Sequence, residues 1–177
     1  MKALVVYDSV HGNTAQVARA IGEAIDAEVL HVGDANPASL EELDLLIVGS
    51  PTHGGWFTEG IRSLLEASPA LERVTVAAFD TRTASIWNRI LPFGYAAPRI
   101  ARSLEGCGGT LSGPPQGFVV LGVKGPLREG ELERAASWAK KRGYPIRPRT
   151  DQTTQHPSSR CPFCPLCCTL VCPRCYL

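Results

Sequence analysis

Residues 3 to 7, Ala-Leu-Val-Val-Tyr, are a near-unbroken apolar and β-branched run that stops abruptly at Asp8-Ser-Val-His-Gly-Asn-Thr14. Such a run reads as a strand covered on both faces, which is the environment inside a parallel sheet. Behind the loop, Val17, Ile21, Ala24 and Ile25 recur at helical spacing, so the loop opens at a helix N-terminus. Unpaired backbone N–H groups and the positive end of the helix dipole meet there. Gly12 lets the main chain approach a ligand without a Cβ in the way. Ser9, Val10, His11, Gly12, Asn13 and Thr14 are therefore candidate ligands of a phosphate. The loop alone leaves open a plain strand-to-helix turn capped by Asn13 or Thr14. It is neither Gly-x-x-x-x-Gly-Lys-Ser/Thr nor Gly-x-Gly-x-x-Gly, which excludes Walker and Rossmann cradles. It contains no lysine or arginine, so neutral donors must hold the phosphate.

The rest of the chain alternates in the same manner. Glu28-Val-Leu-His-Val32 reads as a short strand, and Ser39 and Glu42 stand at capping-box spacing for a brief helix. Leu43 to Gly49 is a second buried strand that empties into Ser50-Pro-Thr-His-Gly-Gly-Trp56, followed by Phe57, Ile61, Leu64 and Leu65 at helical spacing. A third core strand, Val74 to Phe79, opens into the loop Asp80-Thr-Arg-Thr83 and a long connection containing Trp87, Pro92, Phe93 and Gly94. Ala97, Ile100, Ala101 and Leu104 mark the next helix, and Leu132, Ala135, Ala136 and Ala139 the last. Thr110-Leu111 and Phe118 to Leu121 read as one strand interrupted by residues 112 to 117. Strands and helices in alternation imply a parallel sheet with helices on both faces, an α/β three-layer sandwich. In the five-stranded doubly wound order 2-1-3-4-5, a ligand crevice opens beyond the carboxyl ends of strands 1 and 3. The two most unusual loops leave those two strands.

Charge narrows the partners. The net charge of +1 conceals 4 Lys/Arg against 12 Asp/Glu in residues 1 to 80, and 14 against 5 in residues 81 to 177. The acidic first half is a surface a basic partner would meet. The basic clusters Lys140-Lys-Arg142 and Arg147-Pro-Arg149 read as a solvated helix end rather than a nucleic-acid footprint. No apolar stretch approaches the ~20 residues of a membrane span, and the N-terminus does not read as a signal peptide, so a cytoplasmic location is expected.

On the residues of these loops, the chain resembles the flavodoxin family over residues 2 to 142. The phosphate loop of that family runs roughly Ser/Thr-x-Thr-Gly-x-Thr; Ser9, Gly12 and Thr14 match, and His11 replaces the middle hydroxyl, which makes binding pH-sensitive in principle. The resemblance implies FMN as cofactor. Pro51, Thr52, His53, Gly54, Gly55 and Trp56 would meet the flavin ring, with glycine backbone against its edge and an aromatic face for stacking; Gly49 to Gly55 also resembles the matching segment of flavodoxin-like quinone reductases. Asp80, Thr81 and Arg82 would approach the pyrimidine edge, where a cation stabilises the reduced anion. The common alternative for Arg82 is pairing with a carboxylate. Tyr95 is a second stacking candidate, and Trp56 is equally well read as buried beneath the following helix. The short interruption of the last strand resembles short-chain flavodoxins. Response regulators share this architecture, but Ser50 and Pro51 stand where they need acidic chemistry. The functions implied are single-electron transfer between redox partner proteins, or NAD(P)H-dependent quinone reduction, or a binding module without flavin.

The expected domain is residues 1–145. Residues 146–160 are a polar, Pro-containing linker, and residues 161–177 form a cysteine-rich tail. Cys161, Cys164, Cys172 and Cys175 form two Cys-x-x-Cys pairs that could hold Zn²⁺, although only seven residues separate the pairs. A ferredoxin-like Fe–S run fits Cys161, Cys164 and Cys167 but meets Cys172-Pro173 one position late. A tail with reactive thiols and no metal is the remaining reading.

Overall fold

A computed structural model of the chain describes residues 1–83 and 94–142. The linker and tail, the four candidate metal-binding cysteines, Trp87 and Phe93 lie outside the described residues. The elements run β1 (Ala3–Tyr7), α1 (Asn13–Ile25), β2 (Glu28–His31), β3 (Leu45–Pro51), α2 (Glu59–Ala67), β4 (Thr75–Thr83), α3 (Ala96–Gly106), β5 (Thr110–Leu111), β6 (Gln116–Val120) and α4 (Glu131–Arg142). All pairings are parallel, and the sheet order is β2-β1-β3-β4-β5, with β6 also against β4. β5 pairs with residues 75–76 and β6 with residues 79–83 of β4. The two segments together occupy one strand position, as the interrupted apolar pattern implied.

The apolar alternation of the strands sorts the helices into two layers. Val5, Ile47, Ala77, Phe79 and Phe118 face α1 and α4, packing on Val17, Ile21, Ala135 and Trp138. Leu4, Val6, Leu46, Val48, Val76 and Ala78 face α2 and α3, packing on Ile61, Leu64, Ile100 and Leu104. Burying each of the Val, Leu, Ile and Phe side chains contributes about 1.5–3 kcal/mol. Phe79, Phe118 and Trp138 make mutual edge-to-face contacts with centroids 6.0–6.4 Å apart. Gly49 on the neighbouring strand leaves the space the Phe79 ring fills; a Cβ there would overlap it.

Two expectations are corrected. Residues 80–83 are not a loop: they extend β4, because β3 and β6 both continue the ladder past Phe79. The segment before β3 is a 3₁₀ helix, Pro37–Glu42, and Asn36 caps it by accepting the Ala38 amide at 3.1 Å. Pro37 fixes the first helical φ and so starts the turn two residues ahead of Ser39.

α1 and α2 lie on opposite faces of the sheet, so the crossovers leaving β1 and β3 diverge. That divergence opens a crevice between the carboxyl ends of β1 and β3.

Candidate functional site

The first wall of the crevice is the start of α1. Gly12 takes the left-handed conformation (φ 82°) as the residue before the helix, and no side chain caps it. No other atom lies within 4 Å of where its Cβ would stand, so the position is open to a ligand. The Ser9 hydroxyl accepts the Ala15 amide at 3.4 Å, and the Gln16 amide bonds the Gly12 carbonyl. Among the described residues, the amides of Val10 to Thr14 have no acceptor. Asn13 is buried and turns inward, donating to the Lys124 carbonyl at 3.2 Å. It thereby ties α1 to the turn after β6, where Gly125 has no room for a Cβ beside it. The Thr14 and Thr81 hydroxyls lie 2.9 Å apart, both buried. Two hydroxyls sharing one hydrogen bond leave one proton to donate elsewhere, and both residues line the crevice.

The second wall is a two-residue hairpin. His53 and Trp56 exchange backbone hydrogen bonds at 2.9 and 3.0 Å around Gly54 (φ 57°) and Gly55 (φ 85°). Positive φ at both central positions is the type I′ geometry that glycine supplies. Pro51, Thr52, His53 and Gly54 line the crevice. The Thr52 hydroxyl also accepts the Ala96 amide at 3.1 Å, anchoring the start of α3. Gly55 is buried, and its carbonyl accepts from Arg99 at 2.9 Å. Trp56 is neither buried under α2 nor part of the crevice lining: it is 41% exposed, with the Arg99 guanidinium 3.9 Å above its ring.

The third wall is the end of β4. Thr81 shares its face with α1, while Asp80 and Arg82 point to the α3 side. Asp80 is fully buried. Its carboxylate accepts Arg82 Nε at 2.5 Å, Arg82 Nη2 at 2.7 Å and the Ala97 amide at 2.8 Å. Burial pushes the Asp80 carboxyl above its usual range, against the pull of Arg82, the Ala97 amide and the Thr52 hydroxyl. Asp80 thus positions Arg82 and α3 without lining the crevice, whereas Thr81 and Arg82 do line it. Tyr95 packs against Arg82, whose guanidinium carbon lies 3.6 Å from the ring centre. Both aromatic candidates for stacking are therefore covered by an arginine.

The remaining lining residues, Thr83, Val120 and Val123, had no motif to mark them. The pairing of β6 with the end of β4 brings Val120 there, and Val123 follows in the next turn, 75% exposed.

The crevice holds about 170 Å³, less than the ~300–1,000 Å³ of closed small-molecule sites, so a ligand of flavin size would extend beyond it. Its lining contains one arginine, two histidines and no carboxylate. The donor set fits FMN at the phosphate end: unpaired amides at a helix start, a spare buried hydroxyl proton and an open glycine. At the ring end, Gly54 backbone, His53 and Arg82 fit the polar edge of a flavin. No Trp, Tyr or Phe among the described residues lines the crevice.

A parallel sheet of this order, with helices on both faces and a crevice at its switch point, defines a flavodoxin-type α/β architecture. The family model described as a flavodoxin domain matches residues 4–85. An archaeal flavodoxin of known structure is 25% identical, covering 81% of this chain and 96% of its own, with a TM-score of 0.67. Flavodoxin 1 from Bacillus cereus is 20% identical, covering 80% and 97%, with a TM-score of 0.68. These matches support a flavodoxin-like family for the chain. Among curated proteins, a putative diflavin flavoprotein of Thermosynechococcus vestitus is 28% identical over 167 residues, 89% of this chain. An uncharacterized protein of Methanocaldococcus jannaschii is 29% identical over 85 residues. The chain spans only 27% and 55% of the length of these relatives. The fold family implies a flavin. No group of three metal-ligating side chains stands together among the described residues. No described helix is long and apolar enough to cross a membrane.

Proposed function

We propose that the protein binds FMN in this crevice and acts as an electron-transfer module for redox partner proteins. The observation that carries the reading is the donor set at the start of α1, unpaired amides beside the Thr14–Thr81 hydroxyl pair, in a lining free of carboxylates. Bound FMN would supply the redox chemistry, taking or giving electrons at its ring. The amides of Val10 to Thr14 and the spare hydroxyl hold the phosphate, helped by the positive end of α1. Asn13 fixes the approach of the turn after β6, and Val10, Val120 and Val123 exclude water from the apolar side. His53, Gly54 and Arg82 orient the polar edge of the ring. The likeness to an archaeal flavodoxin along nearly its whole length supports a carrier. The likeness to a quarter of a diflavin flavoprotein supports a flavin module whose partners are other redox centres.

The test is titration of the apoprotein with FMN and with riboflavin, followed by flavin fluorescence. Because the phosphate contacts are absent in riboflavin, FMN should bind at least ~100-fold more tightly, two charge-assisted hydrogen bonds at about 1.5 kcal/mol each. Equal affinities, or no binding of FMN, would overturn the reading.

A further inference from the structure

We propose that Arg82 shifts the crevice's relative affinity toward fully reduced, anionic FMN over oxidised FMN. The inference rests on the FMN reading above and concerns a residue that reading uses only for orientation. Arg82 is the one lining residue with a permanent charge, and no carboxylate lines the crevice beside it. Its position is fixed before any ligand arrives. Asp80 grips one edge of the guanidinium through Nε and Nη2, and Tyr95 covers one face. Gly117 on β6 leaves the space the group occupies, since a Cβ there would overlap it.

That grip consumes two of the five guanidinium N–H groups. The remaining three have no acceptor among the described residues. The Asp80–Arg82 pair thus has its negative member sealed in the protein, where Asp80 is 0% exposed, and its positive member a fifth exposed and in the crevice lining. Full reduction of FMN adds two electrons, from a reductase or a chemical reductant, and one proton at N5. The product carries a negative charge shared by N1 and the C2 carbonyl, the part of the ring that accepts hydrogen bonds. A fixed guanidinium edge favours that product over the neutral oxidised ring. The buried countercharge of Asp80 reduces the preference to about tenfold, one decade of differential affinity.

The experiment measures, for wild type, Arg82→Gln and Arg82→Lys, the affinity for oxidised FMN by fluorescence and the two-electron midpoint potential of the bound flavin at pH 8. Arg82→Gln should lower the ratio of reduced to oxidised affinity about tenfold, a midpoint drop of ~30 mV for a two-electron couple, while Arg82→Lys retains part of the shift. Because Arg82→Gln leaves a buried carboxylate unpaired, the double variant Asp80→Asn/Arg82→Gln is measured beside it; asparagine keeps an oxygen for the Ala97 amide. A folded glutamine variant that binds FMN with an unchanged midpoint overturns the proposal and leaves FMN binding standing. A wild type that binds no FMN overturns the parent reading instead.

Discussion

Replacing Thr14 and Thr81 by valine, singly and together, separates what the shared hydrogen bond does for the fold from what it does for a ligand. The two hydroxyls are 2.9 Å apart and nearly sealed from solvent. Either single valine leaves the other hydroxyl without its partner, which costs about 1–3 kcal/mol for a buried polar group. The double variant removes both polar groups at nearly constant volume and should fold almost as stably as wild type. Urea denaturation should therefore report a stabilising coupling of at least about 2 kcal/mol in the double-mutant cycle, the sum of the two single penalties. The binding prediction runs the other way. The double variant has lost the spare hydroxyl proton, and a hydrogen bond to a charged phosphate is worth about 1.5–3 kcal/mol, so FMN should bind about 10- to 150-fold more weakly. Riboflavin affinity should not change. Additive single effects on stability would refute the shared bond, and wild-type FMN affinity in a folded double variant would refute its role at the phosphate.

Other perturbations test the walls of the crevice and the element beneath it. Glu131, buried in the first turn of α4, accepts the Val119 amide and faces Arg128 and Arg134. Burial alone would raise its carboxyl, yet Arg134, the Val119 amide and Arg128 hold it below the ordinary value of 4.5. A depressed carboxylate stabilises the fold above that value and loses the contribution as pH falls through its folded pKa. Wild type should thus weaken steadily in urea below about pH 4.5, and Glu131→Gln should be less stable at pH 7 and depend less on pH there. Trp56→Ala removes a stack on Arg99 worth about 0.5–1 kcal/mol, outside the crevice lining. It should leave FMN affinity near wild type, whereas His53→Ala should weaken it; fluorescence titration of both variants decides, and the reverse order would place the ring against Trp56.

The strands, their order and the two principal loops were legible because they rest on local signals: buried β-branched runs, helical periodicity behind a loop, and two adjacent glycines. Where the reading differed, non-local partners decided the outcome. Asp80-Thr-Arg-Thr83 is polar enough to pass for a loop, and only pairing with β6 makes it strand. Asp80 is buried because its near neighbour Arg82, in the carboxylate pairing the sequence offered for it, and the distant Ala97 amide at the start of α3 both satisfy it. Trp56 had two plausible destinations, and the one observed depends on Arg99, a helix residue no local pattern connects to it. Of the six phosphate-loop candidates, Val10, His11, Asn13 and Thr14 line the crevice. Ser9 and Gly12 shape the turn, a division of labour that residue types alone do not reveal.

On the proposed reading, the placement of the acids bears on how a loop without lysine or arginine would hold a phosphate in a half-chain that carries eight more acids than bases. Asp26, Glu28, Glu41, Glu42, Asp44 and Glu72 stand at or just before the starts of β2, β3 and β4, whereas Asp8, Asp34, Glu59 and Asp80 stand toward the carboxyl ends of the strands, Asp80 fully buried. In a parallel sheet those starts all lie at one end, opposite the crevice. A five-residue strand separates the ends by roughly 16 Å, beyond the ~8–10 Å Debye length of ordinary buffers, so the exposed carboxylates there act only weakly on an anion in the crevice. The helices run antiparallel to the strands, which directs the N-terminus of α1 toward the crevice. Parallel topology therefore supplies the positive end of the site through oriented peptide dipoles, and leaves the surface free to carry acidic charge.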